Sequence, residues 1–271
     1  MQPLWDIILF VGDADVDISK MLLKVAEVTK GRVDRRTVFG DFLESCACTL
    51  SNRTDPIHLE ARKECVDYIA KKYTEQERIL FDDAFRQLTS KIVQNVNCGI
   101  YADILGPVYC ELNPTGGSLK QDFTPSCIGS LLSRICHQDD VLPERGYFTM
   151  MEPSCGSGIL CLEYAQMLFE QGFNPCNQVV IQAADLDKRR VHMTYIQLAF
   201  YGIPAVIVRG DSLLLKEYDR WYTPVYIWNN WIWREPLPFG SGRNKSDELQ
   251  KMASEPWYAT ARMLESYFKS T

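Results

Sequence analysis

The second half of the chain alternates short apolar runs with segments of helical pattern, and this constrains the fold more than any other feature. Helical segments separate the first three runs, and a polar segment precedes the fourth. The runs are residues 147–151, 178–184, 205–210 and 224–228. Such strand–helix–strand alternation is typical of a parallel sheet with crossover helices. The sequence therefore predicts an α/β fold in this half.

The first half has a different pattern. Residues from about 17 to 100 show helical periodicity, and Thr74 followed by Glu77 predicts a capping-box start for one helix. Turn-forming residues then cluster at 112–117. We therefore divide the chain into a helical N-terminal region, residues 1–112, and an α/β domain, residues 113–271. The tail from Ser246 onward has a helical pattern interrupted at Pro256.

Composition excludes several classes of protein. The chain has 271 residues, 46% of them hydrophobic, which is enough to bury a sizeable core. No stretch approaches the roughly 18 apolar residues of a membrane span. The apolar run at the N-terminus lacks a basic start and is followed at once by acidic residues, unlike a signal peptide. We expect a cytoplasmic protein with no membrane partner.

Cysteine usage and charge bear on metals and partners. The ten cysteines are scattered without a C-x-x-C pair and there are only three histidines, so we expect reduced, mostly buried thiols and no metal site. The net charge of −6 argues against a free-standing nucleic-acid clamp, because such modules normally have a basic balance. A nucleic-acid role would need a local basic patch or a basic partner.

A glycine-rich turn follows the first predicted strand. It is the segment from Glu152 to Gly158, with glycines at 156 and 158, and a helical pattern begins directly after it. Glycine allows a backbone to approach a ligand closely at the carboxyl edge of a parallel sheet. The dinucleotide pattern G-x-G-x-x-G fails because its third glycine position is Cys161. The G-x-S-x-G pattern fails because Cys155 occupies its first position.

Two carboxylates follow the next two predicted strands. Asp185 comes 27 residues after Gly158, and Asp211 comes 26 residues after Asp185. Each interval fits one β-α-β step, so the turn and both carboxylates are expected along one edge of the sheet. A carboxylate after the second strand suits two ribose hydroxyls, and one after the third can accept from an adenine amine. The alternative is that these aspartates cap the helices that follow.

In this order, the segments EPSCGSG, AADLD and GDSL resemble motifs I, II and III of the S-adenosylmethionine-dependent adenine-N6 DNA methyltransferases. The closest resemblance is to modification subunits of type I restriction systems and their phage or plasmid relatives. Upstream, residues 122–125 (DFTP) are similar to that family's motif X, and residues 103–109 to its D-x-L-G-x-x-Y segment. The resemblance covers roughly residues 100–215.

The resemblance implies a Rossmann-like class I methyltransferase sheet, here shortened, and S-adenosylmethionine as the cofactor. It places the methionine end of the cofactor against the backbone of motif X, the ribose at Asp185 and the adenine amine at Asp211. Ser212 would add a backbone contact. The implied cofactor-binding residues are Phe123, Thr124, Pro125, Glu152, Pro153, Ser154, Gly156, Ser157, Gly158, Asp185, Asp211 and Ser212.

The family's fourth element, (N/D)-P-P-(Y/F/W), is missing. In its place after the run 224–228 stand Asn229, Asn230 and Trp231. These are the candidate catalytic residues. The amide oxygen of Asn229 or Asn230 would accept a hydrogen bond from the target amine, and the indole of Trp231 or Trp233 would stack on a flipped base. The alternative is that these tryptophans are core or interface aromatics.

Two functions remain open. The first is methyl transfer to the exocyclic amine of a flipped adenine in DNA, with a second subunit or a second copy completing the enzyme. The second is a methyltransferase fold that binds cofactor or a partner without methylating, as a decoy or regulator of restriction–modification. An RNA or protein substrate stays possible because the cofactor half is shared among substrates, whereas the failed glycine pattern disfavours a dehydrogenase. The resemblance implies a bacterial, phage or plasmid origin.

Overall fold

The computed structural model describes residues 17–112, 124–137 and 141–234. Its helices are Ile18–Val28 (α1), Arg35–Ser51 (α2), Leu59–Lys72 (α3), Glu75–Asn97 (α4), Leu105–Leu112 (α5), Ser126–Cys136 (α6), Ile159–Glu170 (α7), Pro175–Gln178 (α8), Lys188–Phe200 (α9), Pro224–Trp228 (α10) and Trp231–Arg234 (α11). Its strands are Phe148–Glu152 (β1), Val179–Asp185 (β2), Ala205–Asp211 (β3) and Lys216–Tyr222 (β4).

The N-terminal helices form as the sequence predicts. Helix α4 begins with the expected capping box, in which Thr74 and Glu77 satisfy each other's backbone N–H groups. Asp17 and Asp34 cap α1 and α2 by accepting from backbone N–H groups of the first turn. On α4, Phe81 is buried, whereas Ile79 is 52% exposed.

The sheet has the order β1-β2-β3-β4, and its first three strands are parallel. Helix α7 connects β1 to β2, and α9 connects β2 to β3. The α/β prediction is confirmed. The described sheet corresponds to one half of a doubly wound Rossmann-like sheet, because its strand order never reverses.

Two segments differ from the prediction. The polar segment 216–222 is a strand, β4, which pairs antiparallel with β3. Its charged side chains are accommodated because Arg220 pairs with Glu217 and Asp219 pairs with Arg62 of α3. The apolar run 224–228 is not a fourth parallel strand but the short helix α10, whose first residue is Pro224. Proline favours the first helical turn and cannot donate to a sheet ladder.

The core lies on both faces of the sheet. On one face, α7, α9 and the N-terminal helices share a continuous apolar cluster that runs from Ile18 to Trp221. On the other face, α10 and α11 cover a smaller cluster around Val180, Val208 and Trp231. The helical region and the sheet therefore share one core. The predicted domain boundary between residues 112 and 113 lies at the end of a described range and stays a prediction.

Two further observations concern the burial of the cysteines and the length of the helices. All ten cysteines are free, but only Cys46, Cys48, Cys155 and Cys161 are buried, so the expectation of mostly buried thiols is wrong. Across the described ranges, no helix combines the length and apolarity needed to cross a lipid bilayer.

Candidate functional site

Three carboxylates end the three parallel strands. Glu152 is the last residue of β1, Asp185 of β2 and Asp211 of β3. The strands lie side by side in parallel register, so their carboxyl ends meet at one edge of the sheet. This is the edge at which open α/β sheets bind ligands. The structure therefore brings together the three strand ends that the sequence singled out.

The glycine-rich turn is closed by hydrogen bonds to this edge. The Gly156 N–H donates to Asp185 Oδ2 at 3.0 Å, and the Cys155 N–H donates to the carbonyl of Ala184 at 2.8 Å. From β3, the Ser212 hydroxyl donates to the carbonyl of Pro153 at 2.6 Å. The turn, which follows β1, is thus tied to the carboxyl ends of β2 and β3.

Left-handed backbone makes the glycines necessary. Gly156 has φ 57° and Gly158 has φ 96°, and Gly158 is the N-cap of α7. A side chain at either position would meet backbone strain. At Gly158 an added Cβ would also lie 3.2 Å from Thr194 Oγ1.

The two aspartates have different surroundings. Asp185 is 5% exposed, and besides Gly156 it accepts from the Asp187 N–H at 2.9 Å and lies 3.8 Å from Arg190. Asp211 is half-buried, and its Oδ1 accepts from the N–H groups of Leu213 and Leu214 at 3.0 and 2.9 Å. An ionised carboxylate has about four acceptor positions, so both retain capacity for a ligand.

Exposed leucines flank the aspartates. Leu186 directly follows Asp185 and is 60% exposed, and Leu213 follows Asp211 by two residues and is 96% exposed. Glu152 is half-buried and accepts from the Ser154 N–H at 2.9 Å. The edge therefore combines hydrogen-bond acceptors with apolar side chains that a planar ring could cover.

A second group of side chains forms a hydrogen-bond network with the turn. The Ser157 hydroxyl donates to Asp103, which also accepts from the Gly106 N–H at 2.8 Å and from Gln197 Nε2 at 2.9 Å. Gln197 Nε2 also donates to the Ser157 carbonyl at 2.7 Å. This network joins the helical region to the turn.

Sequence reasoning did not assign two of the residues that hold the turn. They are Gln197 and Thr194 of α9, and the Thr194 hydroxyl donates to the carbonyl of Gly156 at 3.1 Å. The two lie three positions apart, on one face of the helix. No local motif marks them, because their role arises only when α9 packs against the turn.

Of the motif X residues, Thr124 and Pro125 lie beside this network. They line a cavity of about 600 Å³ together with Asp103, Gly106 and Ile159, the first residue of α7. Phe123 lies outside the described residues.

Two titratable groups in or near the turn have shifted pKa values. Burial raises the pKa of the Cys155 thiol, so it stays protonated and the turn offers no thiolate. Burial also opposes ionisation of Asp187, but the hydrogen bond and charge of Arg189 outweigh it and lower the pKa of that carboxyl. Asp187 thus remains an anionic N-cap of α9.

The candidate catalytic residues lie elsewhere. Strand β4 runs antiparallel, so Tyr222 pairs with Val206 near the amino end of β3, and the chain continues from there into α10. Trp231 is fully buried, with its ring edge-on to Tyr147, which precedes β1, at 4.7 Å between centroids. Asn229 and Asn230 are in the turn between α10 and α11. The structure therefore does not bring Asn229, Asn230 and Trp231 to the carboxyl edge.

For Trp231 we expect a structural effect on substitution. Trp231→Ala should lower the free energy of unfolding by about 3–5 kcal/mol, because it removes a fully buried indole. The neighbouring Trp233 is 38% exposed, so Trp233→Ala should cost clearly less. Chemical denaturation of both variants measures this difference, and equal losses would contradict the packing of α11.

No protein-family model matches the chain, and neither does any curated protein sequence. Two solved structures align with it over about half of their own length. One is described as a class I S-adenosylmethionine-dependent methyltransferase from Listeria monocytogenes, with 11% identity, a TM-score of 0.38 and coverage of 70% of this chain and 51% of that one.

The other is the type I restriction-modification system methyltransferase subunit from Streptococcus thermophilus, with 15% identity, a TM-score of 0.32 and coverage of 69% and 56%. Both TM-scores lie below 0.5, so neither alignment identifies an activity for this chain.

Proposed function

We propose that this chain is an S-adenosylmethionine-dependent methyltransferase whose cofactor lies across the carboxyl edge of β1, β2 and β3. The observation that carries the proposal is the turn with two left-handed glycines, hydrogen-bonded to Asp185, beside the strand end that carries Asp211. This arrangement offers acceptors for a ribose and for an adenine amine at neighbouring strand ends.

The residues present fit such a cofactor. Asp185 would accept from the ribose hydroxyls, although only a small part of it is exposed. Asp211 would accept from the adenine amine through Oδ2, which takes no hydrogen bond from the described residues. Leu186 and Leu213 would lose exposed apolar surface against the ring. When bound, the cofactor supplies the electrophilic methyl group.

The methionine end is proposed to lie toward Thr124 and Pro125. The cavity that these residues share with Asp103 begins where α7 starts, next to the turn. The remaining described members of the proposed set belong to the same turn or contact it. They are Glu152, Pro153, Ser154, Gly156, Ser157, Gly158 and Ser212. Phe123, which lies outside the described residues, completes the proposed set.

The proposed substrate is the exocyclic amine of adenine in DNA. It rests on the resemblance of the three cofactor motifs to adenine-N6 methyltransferases. The acidic chain would need a second subunit or a second copy to hold DNA.

A specific observation favours a second candidate function. Asn229, Asn230 and Trp231 follow β4 at the edge opposite the glycine turn, so they are not positioned to act on a methyl group there. A protein that binds the cofactor or a partner without methylating would have the same geometry. Restriction–modification systems could use it as a decoy or regulator.

Cofactor binding tests the proposal first. In calorimetric titration with S-adenosylmethionine, Asp185→Asn should weaken binding about tenfold or more, equivalent to about 1.4 kcal/mol. The reason is that it removes the anionic charge. In addition, Asp185 accepts from the Gly156 N–H through one oxygen and from the Asp187 N–H through the other, so the NH2 group of asparagine leaves one of these two N–H groups without its acceptor. Asp187→Asn is the matched control, because asparagine caps a helix as well as aspartate does.

Equal affinities for the wild type and Asp185→Asn would contradict the assignment of the ribose site. Absence of binding by the wild type would contradict the cofactor site as a whole. With binding established, transfer of labelled methyl groups to unmodified DNA, RNA or protein separates the candidates. Transfer to DNA adenine supports the enzyme, and binding without transfer to any substrate supports the second candidate.

A further inference from the structure

A cluster of metal-binding side chains lies away from the glycine turn, between three helices. Glu44 and Cys48 are four positions apart and so share a face of α2, and Cys65 faces them from α3. One carboxylate oxygen and the two sulfur atoms all lie within 4.8 Å of one another. The Cys65 thiol donates to Glu44 Oε1 at 2.8 Å.

A buried histidine adds an unsatisfied nitrogen. His192 of α9 is 1% exposed, and its Nε2 has no hydrogen-bond partner among the described residues. Leaving a buried polar atom unpaired costs about 1–3 kcal/mol. His192 and Glu44 line one cavity of about 270 Å³. His192 is not among the three residues whose ligand atoms lie within 4.8 Å of one another, so its imidazole must shift toward them to bind the same ion.

We propose that Glu44, Cys48, Cys65 and His192 bind a structural zinc ion that fastens α2 and α3 to α9. Two sulfur, one nitrogen and one oxygen ligand make up a donor set that zinc accepts in tetrahedral geometry. Thiolate and imidazole ligands disfavour magnesium and calcium, which prefer oxygen. Four protein ligands leave no open position, which is typical of a structural rather than a catalytic zinc site.

Binding requires two further changes. The thiols of Cys48 and Cys65 each lose a proton to solvent as their sulfur atoms bind the cation. Lys188, whose ammonium contacts Glu44, must turn away from the carboxylate. The Lys188 side chain is 42% exposed, so it can move into water.

The position of the site suggests its consequence. Helix α9 carries His192, and the same helix carries Thr194 and Gln197, which hold the glycine turn. A zinc ion bound to α2, α3 and α9 would stabilise the helical region against the sheet that bears the proposed cofactor site. Its existence does not depend on the proposed function.

The test uses the full chain, purified without chelators and then stripped and reloaded with Zn²⁺ or Co²⁺. Elemental analysis of the wild type should give about one zinc ion per chain, and Co²⁺ should give an absorption band from thiolate-to-metal charge transfer. Added Zn²⁺ should raise the Tm of the stripped protein, because it binds the folded state. Cys48→Ser and Cys65→Ser should each lose the charge-transfer intensity and most of the bound zinc.

Cys46→Ser is the matched control, since Cys46 is buried on the same helix but outside the cluster. It should lose stability and keep the metal. Glu44→Gln, which leaves both buried sulfur atoms in place, tests the site if a serine variant fails to fold. The proposal is overturned if the wild type binds no zinc, if Co²⁺ gives no thiolate band, or if Cys46→Ser loses as much metal as Cys48→Ser. A disulfide between Cys48 and Cys65 in place of bound metal would also overturn it.

Discussion

Gly158→Ala should weaken S-adenosylmethionine binding about tenfold or more, whereas Gly172→Ala should leave the affinity unchanged. Both glycines have positive φ, 96° and 87°, so alanine costs about 1–2 kcal/mol of backbone strain at either position. They differ in their surroundings. A Cβ at Gly172 meets nothing within 4 Å, while one at Gly158 lies 3.2 Å from Thr194 Oγ1.

The contact explains why binding should respond only at Gly158. Thr194 Oγ1 holds the carbonyl of Gly156, and the N–H of Gly156 is bound to Asp185. A methyl group that displaces Thr194 therefore disturbs the turn and the carboxylate together. Titration calorimetry gives the affinities, and chemical denaturation gives the stabilities. The turn assignment would be wrong if the two variants lost the same affinity or if neither lost any.

The sequence was sufficient for elements that are specified locally. Strands β2 and β3 are mostly apolar runs because both faces of the sheet are covered there, and Thr74 with Glu77 marks the start of α4 by contacts within one turn. The order of the glycine turn, Asp185 and Asp211 also followed from spacing alone. These features depend on local sequence patterns and on the regular length of a β-α-β step.

Features that depend on distant contacts were missed. Strand β4 carries charged side chains, which suggest a loop in the sequence. In the structure these charges are paired within β4 and with Arg62 of α3, and no local pattern indicates the partner on α3. The run 224–228 looks like a strand, but Pro224 and the buried Tyr226 and Ile227 place it as a helix on the sheet face. Together with the antiparallel direction of β4, this error moves the Asn229–Trp231 segment from the expected edge to the opposite one.

The expectation of no metal site stays a prediction, which the proposed zinc site would contradict. The expectation rested on the absence of a C-x-x-C pair and on the presence of only three histidines, whereas the proposed ligands come from three helices and share no motif. Glu44 and Cys48 have the right spacing for one helix face, but Cys65 and His192 join them only through tertiary packing.

The ion pair between Arg62 and Asp219 should have the second large effect. Arg62 of α3 binds both Asp219 oxygens of β4, at 3.0 and 2.8 Å, and stacks on Trp221 with 3.3 Å to the ring centroid. Arg62→Met keeps much of the apolar packing but leaves the carboxylate without its cation. Breaking a buried pair in this way costs about 3–5 kcal/mol. Because the Asp219 side chain is 24% exposed, we expect a loss near 3 kcal/mol.

Lys63→Met is the matched control for this loss. Lys63 is the next residue of α3 and pairs with Glu60, but the two side chains are 52% and 82% exposed, so its loss should stay below about 1 kcal/mol. Chemical denaturation at neutral pH compares the two variants. Equal losses would mean that the pair does not fasten the helical region to the sheet.

The pH dependence of the Arg62→Met loss provides an independent check. Burial opposes ionisation of Asp219, but the hydrogen bonds and charge of Arg62 outweigh it and lower the pKa of this carboxyl. A carboxyl with a lowered folded-state pKa contributes its full stability above the unfolded value of about 3.9 and loses it as the pH falls through the folded value. The difference between wild type and Arg62→Met should therefore be constant from about pH 6 to pH 8 and shrink below about pH 4. A difference that persisted unchanged in acid would show that lost packing on Trp221, rather than the ion pair, causes the destabilisation.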